Sequence, residues 1–180
     1  MKLLSRPEVI TGYRSPRTGG LIDVTKKILF DRLPKVLLMQ LKRFHFSQGE
    51  IAKDVSAVEI ETELSVPSSL CNNTKNTSNK KYHLHAVIFH IGLGVQHGHY
   101  TVAIRSGSGE AGPVFTYIDD DKICLIENID SVRKLLTTHN PINALNGSFS
   151  ALRLARDNNN LPVTQQPRTP YICIYSNLWI

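Results

Sequence analysis

The sequence predicts an α+β fold, mainly antiparallel β-sheet with one short helix, and three observations carry that prediction. Apolar and polar residues alternate with period two along much of the chain, as at Ile22, Val24, Ile28 and Phe30, or at Val58, Ile60, Leu64 and Val66. That is the spacing of strands with one face in a core. Helical spacing is confined to one stretch, where Ile129, Val132 and Leu136 recur three and four residues apart. Finally, 180 residues with 41% hydrophobic and 20% charged side chains make an ordinary soluble domain. A chain of this length buries roughly 70% of its unfolded surface without a disulfide or metal to staple it.

Each element can be justified in turn. Residues 21–30 read as an alternating strand, interrupted at Leu33-Pro34. The dense apolar run at residues 36–41 predicts a central strand buried on both faces, emerging at Lys42-Arg43-Phe44. From 57 to 66 the alternation is nearly perfect, with Glu59, Glu61 and Glu63 on the polar face, and Pro67 ends it because proline cannot donate to a ladder. Residues 71–81 hold almost nothing that packs and are expected as a loop insertion. Two of the chain's three Asn-x-Ser/Thr sites, Asn72 and Asn76, fall there, the third being Asn146; in a reducing compartment they are composition only.

A strand at 82–90, a glycine-bearing loop at 91–98 and a strand at 99–105 follow. The Gly/Ser-rich residues 106–113 predict a loop, and 114–118 and 122–126 predict short strands separated by Asp119-Asp120-Asp121. Asn128 is placed to cap the helix, and Arg133 and Lys134 sit near its C-terminal end, where the dipole favours cations. Residues 137–169 are expected as a second loop insertion with one helical turn around 150–156, before a last strand at 170–175. No repeat and no linker divide residues 1–180, which read as one domain.

Composition also excludes several functions. The three cysteines, Cys71, Cys124 and Cys173, cannot all pair, and no Cys-x-x-Cys occurs. That argues against a secreted disulfide framework and a zinc ribbon, so no metal and no cofactor are expected. The start, Met-Lys-Leu-Leu-Ser-Arg-Pro-Glu, has no signal-peptide core, and no apolar run reaches the 18 residues of a membrane span. The expectation is an intracellular protein of the cytoplasm or nucleus, with no membrane partner. Net charge is +6, divided as +7 over residues 1–53, −4 over 54–127 and +3 over 128–180. The basic residues stand singly or in pairs, as on a solvated sheet face, so nucleic acid is not an expected partner.

Chemistry concentrates between residues 82 and 121. If strand 114–118 pairs antiparallel with the strand starting at His99, their hairpin brings His99 beside Asp119. An imidazole oriented by a carboxylate is two-thirds of a nucleophilic triad. Spacing alone leaves open the plainer reading, in which three aspartates form a turn and His99 is an edge-strand histidine.

Larger motifs resemble one family. Leu33-Pro34-Lys35-Val36-Leu37-Leu38-Met39-Gln40-Leu41-Lys42-Arg43-Phe44 is similar to the LPxVLxxxLKRF strand of the ubiquitin-specific proteases, the papain-like cysteine deubiquitinases. Tyr82-His83-Leu84-His85-Ala86-Val87-Ile88-Phe89-His90, then a glycine-rich loop and Gly98-His99-Tyr100, resembles their histidine box. Phe115-Thr116-Tyr117-Ile118-Asp119-Asp120-Asp121 resembles their aspartate segment, with Phe115 where tryptophan is usual, and residues 170–175 their closing strand.

The resemblance implies the sheet-rich C-terminal half of a papain-like catalytic domain. It implies His99 as the catalytic histidine, Asp119 as the aspartate that orients it, and Asp120 as an assisting neighbour. Phe44, Gly98 and Tyr100 fall on the implied substrate side, and residues 91–98 on a mobile loop that closes over the ubiquitin tail. His97, His90 and His45 read as ordinary loop and sheet residues. The family's cysteine box, Gly-Leu-x-Asn leading to Thr-Cys, has no counterpart here, and Gly12-Tyr13-Arg14-Ser15-Pro16-Arg17 stands where a zinc-binding Cys-x-x-Cys pair of the fingers would fall.

The expectation is therefore a partial catalytic domain whose partner is ubiquitin or a ubiquitinated protein, supplying base and orienting acid but not the nucleophile. The alternative is a non-catalytic ubiquitin-binding scaffold. The acidic alternation at Glu59, Glu61 and Glu63 would complement the basic tail of ubiquitin.

Overall fold

The computed structural model describes residues 6–47, 49–72, 79–110, 112–137 and 167–178. Among them lie β1 (Glu8–Arg14), β2 (Leu21–Lys26), β3 (Val36–Gln40), β4 (Phe44–Ser47), β5 (Glu50–Lys53), β6 (Glu63–Val66), β7 (Lys80–Ile91), β8 (His99–Gly109), β9 (Gly112–Asp119), β10 (Lys122–Ile126), α1 (Ile129–Thr137) and β11 (Arg168–Ser176). A single 3-10 turn spans Ser68–Leu70. The main sheet has the order β10-β9-β8-β7-β11-β3, with β6 paired to the early part of β7, and every pairing is antiparallel. The hairpins β1–β2 and β4–β5 pair only within themselves.

One face of the main sheet carries the core, in which Val87, Phe89, Ala103, Phe115, Tyr117, Cys173 and Tyr175 are all under 5% exposed. β7 delivers most of it by means of a bulge. Its pairing with β11 runs from Ala86↔Ile174 to Leu84↔Tyr175, leaving His85 without a partner there. An extra residue exchanges the two faces of a strand. Tyr82 and Leu84 before it and Val87, Phe89 and Ile91 after it are consequently all buried.

Helix α1 closes this face. Asn128 Oδ1 accepts hydrogen bonds from the amides of Asp130 (2.9 Å) and Ser131 (3.2 Å), the capping role its position predicts. Val132, Leu135 and Leu136 are buried, whereas Ile129 is not. Leu135 completes the apolar stripe.

Three expectations about strands need correction. The dense run at 36–41 forms β3, an edge strand rather than a central one, with Val36 and Leu38 44% and 64% exposed. The interior place goes to β11, whose two edges pair with β7 and β3, so β3 buries one face through Leu37 and Met39. Residues 106–113 are mostly strand. β8 runs to Gly109 and β9 starts at Gly112, the small residues being absorbed by a bulge between Arg105 and Gly107. The alternation at 57–66 is real in burial but forms a ladder only over β6. Upstream, the segment is held by single bonds, from Ile60 N to Leu136 O (3.3 Å) and from Tyr175 Oη to Glu61 O (2.8 Å).

Both expected insertions are also shorter where they are described. Lys80 opens β7, Thr137 ends α1, and Arg168 opens β11. The remainder, residues 73–78 and 138–166 with Asn76, Asn146 and the turn at 150–156, lies outside the described residues. No helix among the described residues is long and apolar enough to cross a membrane.

Candidate active site

His99 is the first residue of β8 and Asp119 the last of β9. The register Val102↔Ile118, continued by one residue, puts Asp119 opposite Thr101, so that His99 is its diagonal neighbour on the same face. The contact is made. His99 Nε2 lies 2.5 Å from Asp119 Oδ1, with the imidazole 29% and the carboxyl 10% exposed. Below them Tyr117 Oη donates to Thr101 Oγ1 at 2.8 Å, which fixes the floor of the pair. With Nε2 as donor to the carboxylate, Nδ1 is left as the basic nitrogen.

Asp120 sits 3.9 Å from the same Nε2 but is 77% exposed. It occupies the two-residue turn joining β9 to β10 with φ 53°, a left-handed conformation that aspartate tolerates better than most residues. His99, Asp119 and Asp120 offer ligand atoms within 4.8 Å of one another. Asp119 is already the acceptor of the imidazole, and the remaining carboxylate faces water, so the cluster reads as an oriented base.

At the same end of the sheet, on the opposite face, the other expected residues converge. His90 pairs with Tyr100 and Ile91 with His99, so Tyr100 and His99 point to different sides. The Tyr100 ring lies 5.0 Å from His90 and 6.1 Å from Tyr171, and the Phe44 ring lies 5.7 Å and 6.1 Å from the same two. Gly98 closes over this group. A Cβ there would fall 2.1 Å from His90 Nε2 and 2.7 Å from the Ile91 carbonyl oxygen, so only glycine lets the loop pass.

His90 is a buried histidine of β7 whose ring is packed between Phe44, Tyr100 and Gly98. Burial and the neighbouring Lys53 charge push it down to about 4, so the ring is neutral at pH 7. Tyr171 and Lys53 escaped the reading of the residues. Tyr171 had a signal in the closing strand, and Lys53 had none.

The acidic alternation does not flank this site. Glu63 pairs with His83, eight residues along β7 from Ile91 and so about 26 Å away. The cysteines stand elsewhere too. Cys173 is opposite Val87, about 13 Å along β7 from Ile91, and burial pushes its thiol up to about 11. Cys124 pairs with Tyr117 two strands from β8, and Cys71 bridges Phe30.

The family model described as ubiquitin carboxyl-terminal hydrolase matches residues 7–175. The chain belongs to the ubiquitin carboxyl-terminal hydrolase family. Among curated members of the ubiquitin carboxyl-terminal hydrolases, Ubiquitin hydrolase B of Dictyostelium discoideum is 33% identical over 104 residues, 58% of this chain and 22% of that protein. Ubiquitin carboxyl-terminal hydrolase 10 of Rattus norvegicus is 30% identical over 131 residues, 70% of this chain and 16% of that protein. The chain therefore spans about a fifth or less of the length of these two relatives. A solved relative in fold is the SAGA Ubp8/Sgf11/Sus1/Sgf73 DUB module bound to ubiquitin aldehyde, with TM-score 0.61, 19% identity, and coverage of 97% of this chain and 32% of that one. The papain-like, sheet-rich fold class of the ubiquitin carboxyl-terminal hydrolases is the one seen here.

Proposed function

We propose that the chain is the base-and-orienter part of a thiol-dependent deubiquitinase that hydrolyses the isopeptide or peptide bond after the C-terminal glycine of ubiquitin. The observation that carries this reading is the contact between His99 Nε2 and Asp119 Oδ1 at the end of a sheet of this family. Nδ1 takes the proton of a cysteine thiol, and the thiolate attacks the glycine carbonyl carbon. The imidazolium, stabilised by Asp119, returns that proton to the leaving lysine amine, and water then cleaves the acyl-enzyme with His99 as base.

In this reading Cys71, Cys124 and Cys173, which stand away from the His99 end of the sheet, do not serve as the nucleophile. The rings of Phe44, Tyr100 and Tyr171 and the backbone at Gly98 form the approach for a narrow di-glycine tail, which crosses the sheet end to reach His99.

The test titrates the isotope-labelled chain with ubiquitin and, separately, treats it with a thiol-reactive ubiquitin probe. The expected result is saturable shifts at Phe44, Gly98 and Tyr100, with no covalent adduct. Absence of saturable shifts overturns the substrate assignment, and an adduct lost on mutating Cys71, Cys124 or Cys173 overturns the division of labour. The non-catalytic scaffold reading separates at the next step: combined with a cysteine-bearing segment, wild type turns over and His99→Ala does not, whereas a scaffold turns over in neither form.

A further inference from the structure

Lys53 ends β5 directly opposite Phe44 in the β4–β5 hairpin. Its ammonium is half-buried and has three main-chain acceptors, His90 O at 3.1 Å, Gly92 O at 2.7 Å and Pro167 O at 3.4 Å. His90 and Gly92 bracket the point where β7 ends and the 92–98 loop begins, and Pro167 immediately precedes β11. The Gly92 amide also donates to Pro167 O, at 3.3 Å. Three donors thus meet three carbonyls from two segments that nothing else on the hairpin reaches in this way, while the Phe44 ring rests on the ring of the same His90.

We propose that Lys53 is a positioning residue that fixes the base of the 92–98 loop and thereby the entry of His99 into β8, coupling the β4–β5 hairpin to the dyad. The functional meaning of that coupling rests on the reading above, but the geometry does not. Among the described residues no carboxylate forms an ion pair with this ammonium. The charged and titratable groups that face it are Arg43 and the His90 imidazole, whereas Asp54, next in the chain, turns to the Ser56 amide and to Arg43.

Burial first, then Arg43, lowers Lys53 to about 8. Below that pH three donors serve three carbonyls, at a desolvation cost that the neutral amine, with its two donors, does not carry. Because the folded value lies below the unfolded one, the same titration raises global stability between about pH 8 and 10.5. An opened loop that releases the ammonium to water restores the ordinary value, so the same linkage holds the loop closed more firmly as pH rises from about 8 to 10.5.

Amide hydrogen exchange on the full chain tests this without any activity. In Lys53→Met, exchange at Gly92 is expected to accelerate about tenfold or more at pH 7, while Val87 and Ala103 in the sheet interior stay within about twofold. In wild type, after correction for base-catalysed exchange, opening at Gly92 becomes rarer as pH rises from about 8 toward 10.5. Lys53→Arg, which stays charged, removes that step, and the His99 ring resonance moves in Lys53→Met but not in Lys53→Arg. An unchanged Gly92 in Lys53→Met, an equal acceleration at Val87 and Ala103, or an alkaline step that survives in Lys53→Arg overturns the proposal.

Discussion

Asp120 combines two jobs that one substitution separates. Its φ of 53° suits glycine better still, while its carboxylate is the part that approaches His99. Asp120→Gly is expected to leave the urea midpoint within the equivalent of about 1 kcal/mol, since the turn keeps its backbone and loses only a carboxylate that is largely in water. In an assembled enzyme, Asp120→Gly should lower turnover by less than about tenfold, and Asp119→Asn by on the order of 10²-fold or more, because only Asp119 holds the imidazole tautomer. Equal losses would mean that Asp120 shares the orienting role. His90 supplies a pH prediction whose sign is fixed by its burial. Its folded value of about 4 lies below the unfolded 6.5, so the stabilisation is complete above pH 6.5 and is lost as pH falls toward 4. Between pH 7 and 4.5 the loss from this residue is roughly 2–3 kcal/mol. His90→Phe should flatten that part of the acid slope in urea melts at the two pH values, and at pH 7 should cost little, because the ring it replaces leaves Nδ1 buried without a partner.

At the scale of elements, α1 was legible to the residue because its signals are local: a side-chain cap, a dipole bias and a three-and-four spacing. Asn128→Ala is expected to cost about 1 kcal/mol, and Leu135→Ala, at full burial, about 2–5 kcal/mol, both measured as shifts in denaturant midpoint. A cap loss equal to the core loss would mean that α1 is held mainly by its own turn rather than by the sheet. β10 was equally plain, bounded by aspartates and Glu127. The misread elements are those whose state depends on distant neighbours. Nothing inside residues 36–41 tells that β11 will take the interior place, and nothing in the glycines and serines of 106–113 tells that a bulge lets them stay in the ladder. The alternation at 57–62 shows the same limit, since amphipathicity reports which face is buried and not whether a partner strand exists. For the site, the His99–Asp119 neighbourhood followed from hairpin arithmetic, whereas Lys53 depends on three carbonyls brought together only by the fold.

Across the whole molecule, the sheet face turned away from the core is apolar as well. In register run Ile123, Ile118, Val102, Ile88 and Ile172, ending in Gln40 at the β3 edge, and beside them Leu125, Thr116, Ile104, Ala86, Ile174 and Leu38. At the two edges Ile123, Leu125 and Leu38 are 71%, 54% and 64% exposed. An open apolar face ending in strand edges favours self-association. Sedimentation of the isolated chain is expected to show concentration-dependent association, reduced in Leu38→Lys and in Ile123→Lys, with β-sheet circular dichroism unchanged. A monomer over the whole range that binds no apolar dye would remove that expectation.

The place of β11 bears on how the protein is made. Its residues are the last of the eleven described strands to leave the ribosome, yet they lie between β7 and β3 and pair with a β3 partner more than 130 positions earlier in the chain. A nascent polypeptide therefore carries two facing open edges until the codons for Arg168–Ser176 have been translated, so the sheet closes only once β11 has emerged. A premature stop ahead of Arg168 would not yield a slightly smaller sheet; it would yield a split one with an empty slot one strand wide. The same slot is shaped to accept that strand as a separate peptide, so a truncated chain and a synthetic 168–176 segment should rebuild the sheet between them.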